Sequence, residues 1–368
     1  AYVPSLGNGN PGSGTVSVID IASNTVIASI PNVGTNPWFV ATSPRTARAF
    51  IRSDDGVYAI DTFRNVRVGS PALQVTGRAG IALSSSADRL YYGFRQSAVG
   101  YLCALRTSDM TDIGCAQAPT ASLPWGVAVT PDNQFVYATD QGDGVNAGRV
   151  LIFQREPLTY VTSVTVGVNP WSVTFSPNGA RAYVPNQGSA SVSVIDTASQ
   201  TLVDSIGLGN GSLWAAISPN GERLYVTSAG TVSVVDTTNN TVVASPAVGS
   251  SPIGISIEPT GARVYVANSV SNSVSVLSTA TNAVVATIPV GIQPYSEGQF
   301  IGGGKLLDID GDGEVLATTD MLLLMRWQLG IRGQSLITGI GFPPNALRTT
   351  FDAIETYLRE LESLGAAR

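Results

Sequence analysis

Residues 170–205 read PWSVTFSPNGARAYVPNQGSASVSVIDTASQTLVDS, and the punctuation of this stretch decides the fold. Four short runs rich in Val, Ser, Thr and Tyr are separated by turn chemistry: Pro177-Asn178-Gly179, and Asp196-Thr197 followed by Gln200 ahead of the last run. Runs this short, bounded by Gly, Pro and Asn, are β-strands, and four of them make one small antiparallel sheet. The turn signals recur as Pro219-Asn220-Gly221 and Pro259-Thr260-Gly261. Laid against itself, the chain repeats this unit roughly every 42 residues, the period of a propeller blade. Equivalent starts fall at Pro37, Arg78, Pro124, Pro170, Ser212, Pro252 and Pro294, which predicts seven blades.

The ends of the repeat complete each other. Ala1-Tyr2-Val3-Pro4 aligns with the second strand of the unit, whereas the last start, 294–300, holds a first strand and nothing more. Pairing the two closes the ring and leaves no open sheet edge at the seam. Along the third strand, Ser193-Val194-Ile195-Asp196 has counterparts in Val18-Ile19-Asp20 and Val234-Val235-Asp236. Its alternation sends one row of side chains to each neighbouring blade. The expectation is an all-β, seven-bladed β-propeller over residues 1–303, closed by the strand at 294–300, with a small α-helical EF-hand-like domain over 304–368. Tyr183-Val184-Pro185-Asn186, Tyr225-Val226-Thr227-Ser228 and Tyr265-Val266-Ala267-Asn268 resemble the Tyr-Val-Thr-Asn segment for which the YVTN family is named. That resemblance covers residues 1 to about 300 and implies a seven-bladed propeller, often on microbial surfaces, with no single activity.

Composition agrees with strands and tight turns: 39 glycines and 12% charged residues in a chain of 368. A net charge of −6 carries no basic footprint for phosphates, which excludes nucleic acid as the expected partner. No apolar run reaches the roughly 18 to 20 residues of a membrane span. The chain opens inside a strand-like segment with no charged n-region, the expectation being that any signal peptide has been removed. Cys103 and Cys115, its two cysteines, fall on neighbouring strands of one blade, spaced for a disulfide. Such a bond would stabilise the fold by about 3 kcal/mol and points to a secreted, extracellular or cell-surface location. The alternative is a pair of buried reduced thiols.

Past Gly302-Gly303-Gly304 the grammar changes. Asp308, Asp310 and Asp312 alternate ahead of Gly313 and Glu314, and Asp320 heads Met321-Leu322-Leu323-Leu324-Met325-Arg326-Trp327-Gln328-Leu329-Gly330. This is a calcium loop opening a helix. Side-chain oxygens come from the three aspartates, the sharp turn from Gly313, a carbonyl from Glu314, and closure of the shell from Asp320. The alternative is a solvated acidic turn. The run resembles the first repeat of a dockerin, which implies a Ca2+ cofactor and a protein partner or self-association through this module. Asp320 stands at loop position 13 and no second acidic loop follows. Instead, 345–364 reads as a helix with Phe351, Ile354, Leu358 and Leu361 on one stripe, suited to packing on Leu323 and Trp327.

The chain contains no histidine. Serine–histidine triads, imidazole bases and histidine-held metals are therefore excluded. Carboxylate chemistry remains, and one candidate stands out: Glu297 occupies a channel-strand position whose counterparts are Val40, Ile81, Val127, Val173, Ala215 and Ile255. A structural carboxylate at the seam is the competing reading. Asp140, Asp143 and Asn146 offer either a second cation loop or a plain solvated turn. An aromatic register is more coherent: Trp38, Trp125, Trp171 and Tyr295 share one position, with Leu213, Ile253 and Ala79 completing the set and Phe39 and Trp214 one step on. They form a candidate ligand collar at one mouth, able to stack on a sugar, or else packing between blades. The leading functional expectation is a secreted or cell-surface non-catalytic scaffold or adhesion protein. In it the propeller contacts protein or glycan and the C-terminal module docks through calcium. The alternatives are a lactonase-like or other carboxylate-dependent hydrolase, and a propeller that binds a carbohydrate or small ligand.

Overall fold

In the computed structural model of the protein, the described residues are those outside 8–9, 11, 43–47, 63, 73–78, 97–98, 120–121, 123, 299, 302–318, 343–348 and 364–368; the side chains of 70–72, 320–321, 357 and 360–363 are likewise outside the description. Among the described residues, strands form seven sheets, six of four strands and one of three, each a meander of consecutive strands. Blade one comprises Tyr2–Ser5, Thr15–Asp20 and Thr25–Pro31. Blades two to seven span 39–72, 81–117, 124–168, 174–207, 212–244 and 252–289. The place of the strand that blade one lacks is taken by the segment from Pro294 onward, which is held by isolated bridges and single hydrogen bonds and not by the regular strand expected at 294–300. Ser5 bridges Pro294 in antiparallel sense, the Tyr295 N–H donates to Pro4 O at 2.9 Å, and the Tyr2 N–H donates to Phe300 O at 2.8 Å. The protein is thus an all-β seven-bladed propeller whose seam joins residues from both ends of the repeat.

Blade five shows why the sequence takes this form. In its second and third strands, Arg181–Asn186 and Ser191–Asp196, nearly every residue is buried, because a blade is covered on both faces. Ala182, Val184 and Ile195 cluster with Tyr137 and Val150 of blade four, while Tyr183, Val192 and Val194 cluster with Leu224 and Val226 of blade six. Period-two alternation therefore assigns each row of apolar side chains to a different neighbour. The Pro-Asn-Gly and Pro-Thr-Gly turns place Gly179, Gly221 and Gly261 at φ of 72°, 76° and 74°, a region that costs glycine little. Their carbonyls accept from the hydroxyls of Thr197, Thr237 and Thr279 at 2.5, 2.6 and 2.8 Å, which ties the two turns of each blade together.

The tyrosine of the repeat fastens blades to one another. Tyr2, Tyr91, Tyr137, Tyr183, Tyr225 and Tyr265 are buried in one register, and blade two has Phe50 there. Tyr2 Oη donates to Thr62 O of blade two at 3.0 Å, and Tyr265 Oη donates to Ile21 O of blade one at 3.1 Å. Tyr91 Oη accepts from Arg155 Nε of blade four at 3.0 Å. The Tyr137 hydroxyl is buried and has no hydrogen-bond partner among the described residues. Cys103 and Cys115 lie directly opposite on the third and fourth strands of blade three and are joined in a disulfide.

Among the described residues two helices follow the propeller, α1 (Asp320–Gln328) and α2 (Phe351–Ser363), with a 3-10 turn at Gly333–Leu336. Leu323, Leu324, Trp327, Leu336, Ile354 and Leu358 bury one another, with Phe351 packed against them. The described members of the stripe read from the sequence, Phe351, Ile354 and Leu358, therefore meet Leu323 and Trp327, while 345–348 of the expected helix lie outside the described residues. Arg332 stacks over the Trp327 ring at 3.5 Å. Asp308, Asp310, Asp312 and Glu314 lie outside the described residues, as do the side chains of Asp320 and Leu361.

Candidate functional site

The side chains one position after the repeat starts Pro37, Pro124, Pro170, Ser212, Pro252 and Pro294 gather at one end of the central channel, although the innermost strands themselves begin at different registers, Phe39, Pro124 and Thr174 among them. Trp38, Trp125, Trp171, Leu213, Ile253 and Tyr295 line a cavity of about 220 Å³ there, together with Phe39, Gln187, Ser251 and Glu297. Ala79, the seventh member of the register, is buried but does not line it. The rings meet edge to face: Trp38 and Tyr295 at 4.8 Å between centroids and 84°, Trp125 and Trp171 at 5.8 Å and 77°. This arrangement sets the positive edge of one ring on the negative face of the next, and it builds a box with upright walls.

Two of the indole N–H groups are held from behind. Trp38 Nε1 donates to Asp54 Oδ1 at 2.7 Å and Trp171 Nε1 donates to Gln187 Oε1 at 3.1 Å. Asp54 and Gln187 share one position, immediately after the second strand of their blades, and each also accepts from an asparagine, Asn36 at 2.9 Å and Asn169 at 2.6 Å. Blade four has Gln141 at that position, yet Trp125 Nε1 is buried with no hydrogen-bond partner among the described residues. Asp54, Gln187 and Ser251 were not found by reading the sequence. The signal that could have found Asp54 and Gln187 is their shared position 16 residues after Trp38 and Trp171; Ser251 carries no such mark.

One residue further along, Phe39 lines the cavity and touches Trp214 at 5.8 Å between centroids and 72°. Phe39 belongs to blade two and Trp214 to blade six, which are not neighbours, so the contact crosses the channel and closes it. Three other blades carry glycine at this position. A Cβ on Gly126 would sit 2.0 Å from Trp171 O, and one on Gly254 2.0 Å from Ser296 O, so the innermost strands approach too closely for any larger residue.

Glu297 is 3% exposed and lines the cavity. Its main chain stitches the seam: Glu297 O accepts from Val40 N at 2.9 Å and its N–H donates to Trp38 O at 3.2 Å. Glu297 thus stands at the seam through its main chain and among the residues that line the cavity. Nearby, the buried Arg52 guanidinium has its pKa drawn down by desolvation, with Tyr92, Asp54 and Asp55 pulling the other way. The loop at 140–146 is closed by protein donors. Asp140 pairs with Arg149 at 2.7 Å, and Asp143 accepts from the Val145 and Asn146 N–H groups and from Asn146 Nδ2 at 3.0, 2.8 and 2.7 Å.

The cup is lined by aromatic side chains and by Glu297, with the buried Trp125 N–H unpartnered among the described residues. Glycoside hydrolysis of the usual kind needs two converging carboxylates. Among the described lining residues Glu297 stands as the single one.

The profile of the Choice-of-anchor I domain family matches residues 101–300. No curated protein matches the sequence. Among solved structures, the hydrazine synthase of Kuenenia stuttgartiensis superposes with a TM-score of 0.67 at 18% identity, covering 75% of this chain and 95% of that one. A protein of unknown function from Desulfotomaculum acetoxidans gives 0.66 at 15% identity, covering 81% and 100%. A protein provisionally assigned as a 6-phosphogluconolactonase from Bacteroides uniformis gives 0.61 at 18% identity, covering 80% and 97%. At such identities these likenesses establish the propeller fold and nothing of its chemistry.

Proposed function

The chain belongs to the choice-of-anchor I domain family, and from that premise we propose that it works at the cell surface or outside the cell as a non-catalytic scaffold or adhesion protein. In this reading it is a YVTN-type propeller over 1–303 whose aromatic cup holds one group of a protein or glycan partner. The observation that carries it is the convergence of Trp38, Trp125, Trp171 and Tyr295 on one cavity at the channel mouth. The disulfide supports it too, because such bonds persist where the surroundings are oxidising. Substituting Trp125→Ala and Trp171→Ala tests it on glycan and peptide arrays, with circular dichroism and melting as controls on folding. The expected result is array binding by the native chain that both variants lose while staying folded. Signals unchanged in both variants would move recognition away from the cup.

The proposal includes a second unit, a dockerin-like calcium-binding module over 304–368. Asp308, Asp310, Asp312, Glu314 and Asp320 would hold the ion, and the module would give calcium-dependent docking or self-association. Its supports are the spacing of the acidic residues and the two helices packed through Leu323, Trp327, Ile354 and Leu358. Sedimentation velocity of the whole chain over a concentration series, with millimolar calcium and then with chelator, decides between docking and a local role. Association that calcium drives and chelator reverses is expected; a monomer under both conditions would remove docking from the reading.

A further inference from the structure

We propose that the groove between the outer parts of blades six and seven is a binding site for an extended, uncharged peptide segment of a partner protein. It shares no lining residue with the channel-mouth cup, and nothing in it depends on what the cup binds.

The groove measures about 560 Å³, within the roughly 300–1,000 Å³ of ordinary ligand sites. Ser273 and Ser275 of the third strand of blade seven line it, with Pro289 and Thr287 paired opposite them on the outer strand. Ala247, Val248 and Gly249 of blade six line it as well. A comparison with blades four and five shows why it is open. The outer strand of blade four, Thr159–Val168, runs unbroken for 10 residues, buries Val164 and Val166 in the cluster shared with blade five, and donates the Gly167 N–H to Ser193 Oγ at 3.4 Å. Residues 241–250 hold the same place in blade six, but Pro246 stands where blade four has Val164, and the strand ends at Ala244. The Val232 N–H still donates to Pro246 O at 3.0 Å, yet proline has no N–H to return the bond. Val248 is half-buried where Val166 is buried. Ser275, the counterpart of Ser193, receives no N–H from blade six among the described residues.

The exposed chemistry suits a main chain. Ser273 and Ser275 each accept from Asn268 Nδ2, at 3.2 and 2.9 Å, and neither hydroxyl donates to an acceptor among the described residues. Two residues apart on one strand face, they stand about 6.7 Å from one another, which is the repeat of an extended peptide, so both can meet carbonyls on the same side of one. Val248 and Val284 add apolar surface for its side chains, and no charged residue is among those lining the groove. Aromatic residues are absent from that lining too, so a sugar ring would find no platform to stack on. The fold itself shows what this face accepts. On blade five, Ser191 and Ser193 hold Asn186 in the same way, at 3.2 and 3.0 Å, and the segment laid beside them is an extended, uncharged strand of this chain. The described strands are all built into blades, which leaves the open place on blade seven to a strand from another protein.

The probe is the peptide of residues 159–168, TYVTSVTVGV, with fluorescein at its N-terminus and an amidated C-terminus. It is titrated with the whole chain and followed by fluorescence anisotropy. Saturable binding is expected, weakened about fivefold by Ser275→Ala through the loss of one hydrogen bond. Thr287→Trp, at an exposed position on the groove, should abolish binding and serves if Ser275→Ala does not fold. Ser205→Trp, the equivalent exposed position on blade five, should leave it unchanged. A probe carrying proline at the places of Val164 and Val166 should bind at least about tenfold more weakly, because it presents fewer N–H groups and a stiffer main chain. No saturable binding by the folded native chain, or binding that Thr287→Trp leaves intact, overturns the inference. Neutral oligosaccharides that bind in place of the peptide and are lost in Thr287→Trp would make the groove a glycan site and sink the peptide assignment. A dimer in sedimentation velocity that Thr287→Trp dissolves would make the occupant a second copy and sink the partner assignment.

Discussion

Removing one oxygen from the tyrosine register should have opposite effects at two positions. Tyr265 Oη donates across the seam to Ile21 O at 3.1 Å and to Asn24 Oδ1 at 3.0 Å, joining blade seven to blade one. Tyr137 is equally buried in the same register, but its hydroxyl has no partner among the described residues. Phe50 shows that the register accepts a bare ring. The ring and its packing survive a Tyr→Phe change, so the difference isolates the hydroxyl. Tyr265→Phe forfeits a bonded donor and should cost about 1 to 1.5 kcal/mol, whereas Tyr137→Phe releases an unsatisfied buried group and should be neutral or stabilising by up to about 1 kcal/mol. In a domain of this size each kcal/mol moves the melting midpoint by about 2–4 °C. Denaturant midpoints at unchanged slope provide the assay, since a constant slope shows that the same surface is exposed in each variant. If Tyr137→Phe falls as far as Tyr265→Phe, the hydroxyl is satisfied after all, and the account of what the tyrosine ring contributes is wrong.

The same burial predicts alkaline sensitivity. Desolvation pushes the Tyr137 phenol up to about 12 and also raises Tyr91, Tyr183, Tyr225 and Tyr265. A folded-state value above the unfolded value of about 10 means stability is fully present below pH 10 and drains away as pH climbs toward 12. Phenolate absorbance should therefore lag behind free tyrosine and then rise together with loss of the β-sheet dichroism. Reducing the Cys103–Cys115 bond, or replacing both residues by alanine, should lower stability by about 3 kcal/mol, with amide exchange quickening first on the 112–117 strand. Calcium should raise the melting temperature of the C-terminal helices, and Asp310→Ala should abolish that rise; a calcium effect that persists in the variant would relocate the ion.

What the sequence made legible was whatever depends on period. Register placed Trp38, Trp125, Trp171 and Tyr295 on one level, paired the first blade with 294–300, and set Cys103 opposite Cys115, because strand spacing and alternation are local properties of the chain. The contact between Phe39 and Trp214 was not readable. It depends on how narrowly the ring closes, and that is set by innermost strands brought together at Gly80, Gly126 and Gly254, a property of all seven blades at once. The partners of the indole N–H groups escaped for a related reason. Asp54 and Gln187 share one position relative to Trp38 and Trp171, but the residue type there varies from blade to blade, so only the position could have marked them. Glu297 illustrates the limit from the other side: its break in an apolar register was visible, but its main-chain bonds to Trp38 and Val40 at the seam depend on the closed ring.

The cup is assembled from opposite ends of the propeller. Trp38 lies near the start of the repeat, and Tyr295 and Glu297 lie on the segment that closes it. During synthesis a chain that has not reached Pro294 can already hold six complete blades and still lack the finished cup, so in the proposed reading recognition would wait until the ring is closed. Once formed, the two events are linked thermodynamically. Any ligand that grips both sides of the seam opposes its opening by RT ln(1 + [L]/Kd), about 2.7 kcal/mol at a hundredfold excess over Kd. Occupancy would then act as a clasp, and a ring opened at its seam would release its cargo without a separate signal.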